Sequence, residues 1–163
     1  MELRSIHEVK TNEDRVKLIA NLIEEGSQDP LIRETAIKIT RHCKDKDKKC
    51  EVKAIYDWVK QNIRYIGDVT GRDSYHTARR ILNLRAGDCD DFTILICSLL
   101  ASIGYEVGVR IISESPLKDF HHIYAICNID GKWIPLDGTE KYLPFGSEVK
   151  RIWKRRDYKI IFE

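Results

Sequence analysis

The hydrophobic period of this chain changes at Gly104, and that change limits the possible folds more than any other feature. Upstream, apolar residues recur at helical spacing, most clearly Phe92, Leu95, Ile96, Leu99, Leu100 and Ile103. Downstream, Val107, Val109, Ile111 and the run His122 to Ile129 read as strands, and Asp130-Gly131 is a two-residue hairpin signal. Helices first and hairpin-linked strands second predict an α+β fold with an antiparallel sheet.

Four further helices are expected before that switch. Asn12 is placed to cap the first, with Val16, Ile19, Ala20 and Ile23 as its apolar stripe and Gly26 as its stop. Asp29-Pro30 starts the second, with Ile32, Ala36, Ile37 and Thr40 facing inward. The run Lys-Asp-Lys-Asp-Lys-Lys between Cys43 and Cys50 reads as a solvated connector. A third helix follows from about Glu51 to Ile63, carrying Ile55, Trp58, Val59 and Asn62 at helical spacing. Residues 64–75 hold Gly67, Asp68, Gly71 and Asp73 and read as a loop, and a short helix is expected over Thr77 to Leu84. The tail, Lys150 to Phe162, adds a strand whose basic residues around Trp153 suit an edge.

At 163 residues and 42% apolar composition, one compact domain has material for a core. Residues 1–50 are expected to form a helical segment packed on a core of 51–163. A formal charge of +2 gives no reason to expect nucleic acid as a partner. No apolar run reaches the length of a membrane span, and the N-terminus lacks the apolar centre of a secretory signal. A cytoplasmic protein is the expectation, with export by another route or association with a virion left open. The five cysteines are an odd number in a chain of ordinary size, so reduced thiols are the default. A bridge between Cys43 and Cys50 is the exception to consider should the protein be exported. Together with His42 these two offer three metal ligands, short of the paired clusters that zinc usually takes. Cys97 and Cys127 fall within apolar elements and read as small buried hydrophobes.

The chemistry concentrates at Gly87-Asp88-Cys89-Asp90-Asp91. Cys89 sits at a helix start, where the dipole favours a thiolate and first-turn amides can receive a developing oxyanion. A depressed thiol pKa is therefore expected. The charges of Asp88, Asp90 and Asp91 oppose that effect; ordinary capping explains them, and a Ca²⁺ held by all three is the sharper alternative. His7, His42 and His76 have surface or loop roles, which leaves His121 or His122 as the base. The two point to opposite faces of a strand, so only one of them reaches the thiol. Asp137, in the strand after the hairpin, suits an orienting carboxylate better than the turn residue Asp130.

Gly-Asp-Cys-Asp-Asp-Phe at 87–92, His122-x-Tyr124 and Asp130-Gly-x-Trp133 with Asp137-x-Thr139 together resemble the transglutaminase-like superfamily. Ile55-Tyr-Asp-Trp58-Val-x-x-Asn62-Ile-x-Tyr65 is similar to its upstream helix, so the resemblance runs from about Glu51 to Thr139. It is similar especially to the short bacterial and phage-borne cysteine peptidases of that group, and more distantly to bacterial periplasmic proteinases of the same fold. The resemblance implies a papain-like core with Cys89 as nucleophile, His122 rather than His121 as base, and Asp137 as orienter. It implies no cofactor. Tyr65 or Trp58 would complete an oxyanion hole, and Tyr124, Trp133 and His121 would line the substrate cleft. Gly138 stands where many members carry proline. The expected reaction is hydrolysis of a peptide or glutamine-type amide. Amine transfer, or a silent peptide-binding or phage-assembly module, are the alternatives.

Overall fold

The computed structural model describes residues 11–67, 75–149 and 151–162. Helices α1 (Asn12–Ser27), α2 (Pro30–Thr40) and α3 (Lys48–Asn62) come first. A two-residue strand β1 (Arg64–Tyr65), helix α4 (Ala78–Leu84), strand β2 (Ala86–Gly87) and helix α5 (Cys89–Ser102) follow. Strands β3 (Val107–Ser113), β4 (His122–Ile129), β5 (Lys132–Leu136) and β6 (Lys154–Lys159) complete the order. The last four form an antiparallel sheet in the order β5-β4-β3-β6. This is the α+β architecture that the change of period predicts. Asp130 and Gly131 both take positive φ, 52° and 87°, as the tight β4–β5 hairpin turn requires.

Helix α5 is the centre of the molecule. Every residue from Asp90 to Leu100 is buried, so α5 is enclosed on all sides rather than on one apolar face. One side meets α1, α2, α3 and α4, and another meets the sheet. Val107, Val109 and Ile111 of β3 pair with Cys127, Ala125 and Ile123 of β4, and all six join the buried core. Each large aliphatic side chain sealed in this way contributes about 1.5–3 kcal/mol.

Several local expectations are corrected. The cap of α1 is Thr11, whose hydroxyl accepts the Asp14 amide, so Asn12 is already helical. Gly26 does not stop α1 but lies within it, at a crossing where a Cβ would overlap Ser98 and Ala78. In α2, Ile37 is 45% exposed, whereas Ile32, Ala36 and Thr40 are buried. Helix α3 begins inside the charged connector because Asp47 caps it, accepting the Cys50 amide at 3.2 Å. Its buried face is Val52, Ile55, Tyr56 and Val59, with Trp58 only partly covered and Asn62 exposed. That early start brings Cys50 to Cys43, and the two form a disulfide, contrary to the default of reduced thiols. The bridge also takes both sulfurs from the set considered with His42 as metal ligands. Cys97 and Cys127 are free and buried, as expected.

The loop expected over 64–75 contains β1, which pairs in parallel with β2; residues 68–74, with Asp68, Gly71 and Asp73, lie outside the described residues, as does His7. The tail strand forms on the basic stretch 154–159, at the sheet edge, where Lys154 and Arg156 stand over the Phe120 ring. No helix among the described residues is long and apolar enough to cross a membrane.

Candidate active site

The first turn of α5 is built by a reciprocal cap. Asp88 accepts the Asp91 amide at 3.1 Å, and the Asp91 carboxylate accepts the Asp88 amide at 3.2 Å. Cys89 is thereby held at the first helical position. Gly87 is required by this closure, since a Cβ there would lie 2.5 Å from the Cβ of Asp91. The β1–β2 ladder sets Tyr65 opposite Gly87, and the Ile66 amide donates to the Gly87 carbonyl at 2.9 Å.

Cys89 is half-buried, with the backbone N–H of Ile123, near the start of β4, beside its thiol. The preceding residue is His122, whose Nε2 lies 2.8 Å from Asp137 Oδ2. Asp137 follows β5 directly and is 1% exposed. Its other oxygen accepts from the Thr139 amide at 3.3 Å and the Thr139 hydroxyl at 2.8 Å, and its carbonyl accepts from the Tyr56 hydroxyl at 3.1 Å. With Asp137 anchored, the favoured imidazole tautomer donates from Nε2, which leaves the lone pair on Nδ1.

The electrostatics depart from the sequence expectation in one respect. Burial pushes the Cys89 thiol up to about 12, Asp90 and Asp88 add to the rise, and Arg15 and the Ile123 amide oppose it. The helix start therefore does not by itself yield a depressed thiol pKa. At neutral pH the resting thiol is protonated, and a nucleophile forms only when a base takes its proton.

The three acids have separate partners rather than a common centre. Asp88 and Asp91 cap each other, and Asp91 also meets His76 Nδ1 at 3.2 Å. Burial, followed by the charge of Asp88, raises the Asp91 carboxyl to about 6. Asp90 is 1% exposed and accepts from Arg15 of α1 at 2.6 Å. Among the described residues, only His42, Cys43 and Cys50 have ligand atoms grouped closely enough for a metal ion, so the Ca²⁺ reading gains nothing from the geometry of Asp88, Asp90 and Asp91.

The aromatic candidates separate. Tyr65 is half-exposed, packs edge-on to Phe92 at 6.1 Å, and has its phenol pKa raised by burial and by the charges of Cys89, Asp88 and Asp137. Trp58 instead lies beneath the Arg85 guanidinium at 5.0 Å. Tyr124 shares a sheet face with His122, their rings 5.6 Å apart, but it is buried, with its hydroxyl on Glu148. Glu148 is held in turn by Arg110, which also binds Asp157. Trp133 is half-buried on β5 opposite Asn128, and His121 is exposed with its amide bonded to the Ile112 carbonyl. The sequence does not mark Arg15 and His76 as neighbours of the site, yet they meet Asp90 and Asp91. Arg15 carries no apolar periodicity signal and is brought to Asp90 only by the packing of α1 on α5.

The comparisons agree with this architecture. The chain is 26% identical over 136 residues to the UPF0252 protein MJ1282 of Methanocaldococcus jannaschii, covering 76% of this chain and 39% of that protein. A candidate cysteine protease from Cytophaga hutchinsonii superimposes with a TM-score of 0.57 at 24% identity, over 85% of this chain and 46% of that one. A candidate protease from Parabacteroides distasonis gives 0.58 at 16% identity, over 72% of this chain and 25% of that one. This chain thus spans less than half the length of each of these three proteins, and the two structures speak for the fold. Residues 33–138, from α2 to just beyond Asp137, match the family model, and the chain belongs to the transglutaminase-like superfamily.

Proposed function

We propose that this protein is a cysteine-dependent acyl-transfer enzyme that hydrolyses a peptide or glutamine-type amide through a thioester. The observation that carries the reading is the His122–Asp137 pair, 2.8 Å apart with its carboxylate buried, next in the chain to Ile123, whose amide lies beside the Cys89 thiol. Nδ1 of His122 takes the Cys89 proton as the sulfur attacks the carbonyl carbon, and the carbonyl π electrons move onto oxygen. Backbone amides at the start of α5 receive that oxyanion, with the Tyr65 hydroxyl as a further donor. The imidazolium, stabilised by Asp137, then protonates the leaving nitrogen as the C–N bond breaks. Water, deprotonated by the same imidazole, cleaves the thioester and returns the thiol.

Because the resting thiol stands at about 12, the proton moves during attack rather than before it. That same resting state is the observation favouring the competing reading, a silent module that binds peptide without turnover. Incubating the protein with an unstructured protein substrate separates the two. Proteolytic fragments that vanish in Cys89→Ala, with an unchanged circular dichroism spectrum, support the enzyme. Equal fragmentation by Cys89→Ala refutes it. A fluorescent primary amine in the same reaction reports transfer to an amine in place of water.

A further inference from the structure

Cys89 lies between two aspartates at the start of a buried helix, so any thiolate there must form beside Asp90, itself 1% exposed. A full negative charge at that depth is tolerated only when paired. A partner among the described residues is Arg15, a residue of α1 that lies N-terminal to the matched family residues 33–138. Its guanidinium meets Asp90 Oδ1 at 2.6 Å, and its own Nε is buried with no hydrogen-bond partner among the described residues. Helix α1 therefore spends a largely buried arginine on one carboxylate beside the candidate nucleophile.

We propose that Arg15 is a positioning residue for Cys89: its ion pair with Asp90 fixes the first turn of α5 and cancels the charge that would oppose a thiolate. The proposal rests on the reading of Cys89 as the nucleophile. Among the described residues, the other ionisable groups around this turn are Asp88 and Asp91 of α5, Tyr65 of β1, Tyr75 and His76 ahead of α4, His122 of β4 and Asp137 beyond β5. Of these, Asp88 joins Asp90 in disfavouring the thiolate, while Arg15 acts against both. The N-terminal helix is thus part of the site's electrostatics and not only a cover for the core.

The test is the rate of Cys89 alkylation by iodoacetamide at one fixed pH, mapped by peptide mass so that Cys97 and Cys127 are separated. An opposite charge at contact range shifts a titration by about 1–3 units, so Arg15→Met should slow alkylation about tenfold or more. Asp90→Asn should accelerate it, Arg15→Lys should retain most of the rate, and the double variant R15M/D90N should recover most of the loss. A merely structural pair would slow both single variants alike. An unchanged rate in R15M, or a double variant as slow as R15M, overturns the proposal. If R15M does not fold, D90N decides alone: a faster rate supports charge cancellation, and an equal or slower one refutes it. Alkylation needs no substrate, so these rates stand even if the protein hydrolyses nothing.

Discussion

Asp137→Asn is the substitution whose effect follows most directly from the geometry. Oδ1 of Asp137 accepts from the Thr139 amide and hydroxyl, Oδ2 faces His122 Nε2 at 2.8 Å, and the group is 1% exposed. An asparagine has two ways to sit there. With its NH₂ toward Thr139, a donor faces the Thr139 backbone donor without water to relieve it, a loss of about 1–3 kcal/mol. With its NH₂ toward His122, Nε2 must accept, the ring proton moves to Nδ1, and the imidazole can no longer take a proton from the thiol. The energy difference favours the second orientation by roughly 5- to 150-fold, which is the tautomer penalty alone. Loss of the carboxylate that stabilises the imidazolium adds to it, and the same exchange in a serine-protease triad costs about 10⁴ in kcat. The expectation is a fall of about 10²- to 10⁴-fold in amide hydrolysis and of at least about fivefold in Cys89 alkylation. Stopped-time alkylation with peptide mapping, on protein verified as folded by its urea midpoint, measures the second quantity. Wild-type alkylation across the neutral range in a folded D137N protein would refute the assignment of Asp137 as the orienting group.

Gly87→Ala should destabilise the protein by about 1–3 kcal/mol in urea unfolding, because its Cβ would lie 2.5 Å from the Asp91 Cβ. It should slow Cys89 alkylation as well, and unaltered values for both would remove Gly87 from the cap. Replacing Cys43 and Cys50 by serine opens a loop with a sequence separation of 7, for an expected loss of about 2–3 kcal/mol. Thermal melts with and without a dithiol reductant read the same loss, and a midpoint indifferent to reductant contradicts the bridge. Asp91 titrates near 6 in the folded chain against 3.8 for an ordinary aspartate. The folded state therefore holds this proton more tightly, and its contribution to stability is lost as pH rises through that interval. Asp91→Asn should thus gain stability relative to the parent on going from acidic to neutral pH, and a pH-independent difference between the two would show that burial does not govern Asp91.

The parts of the fold legible in the sequence are those in which local chemistry and tertiary packing agree. The alternating apolar residues of β3 and β4 and the Asp130-Gly131 turn report their own conformations, as does Asp29-Pro30 at the start of α2. Cys89 at a helix start, and the order Cys89, His122, Asp137, are likewise local facts. What was hidden depends on which distant element arrives. Gly26 reads as a helix stop until Ser98 is seen to leave no room for a side chain. Tyr56 gives no sign that its hydroxyl will reach across to the Asp137 carbonyl. Arg15 and His76 look like surface residues until α1 and the segment before α4 fold against Asp90 and Asp91. The thiol pKa departs from the sequence expectation for a related reason: the helix start is local, but burial and the neighbouring charges outweigh it.

The central claim is that Cys89 forms a thioester with a carbonyl substrate. Rapid acid quench of the protein with an activated ester or a glutamine-containing peptide, followed by intact-mass and peptide analysis, tests it directly. One acyl adduct is expected, located on Cys89, released by hydroxylamine and absent from Cys89→Ala. Turnover of the substrate with no adduct on Cys89, or at the same rate in Cys89→Ala, would contradict it.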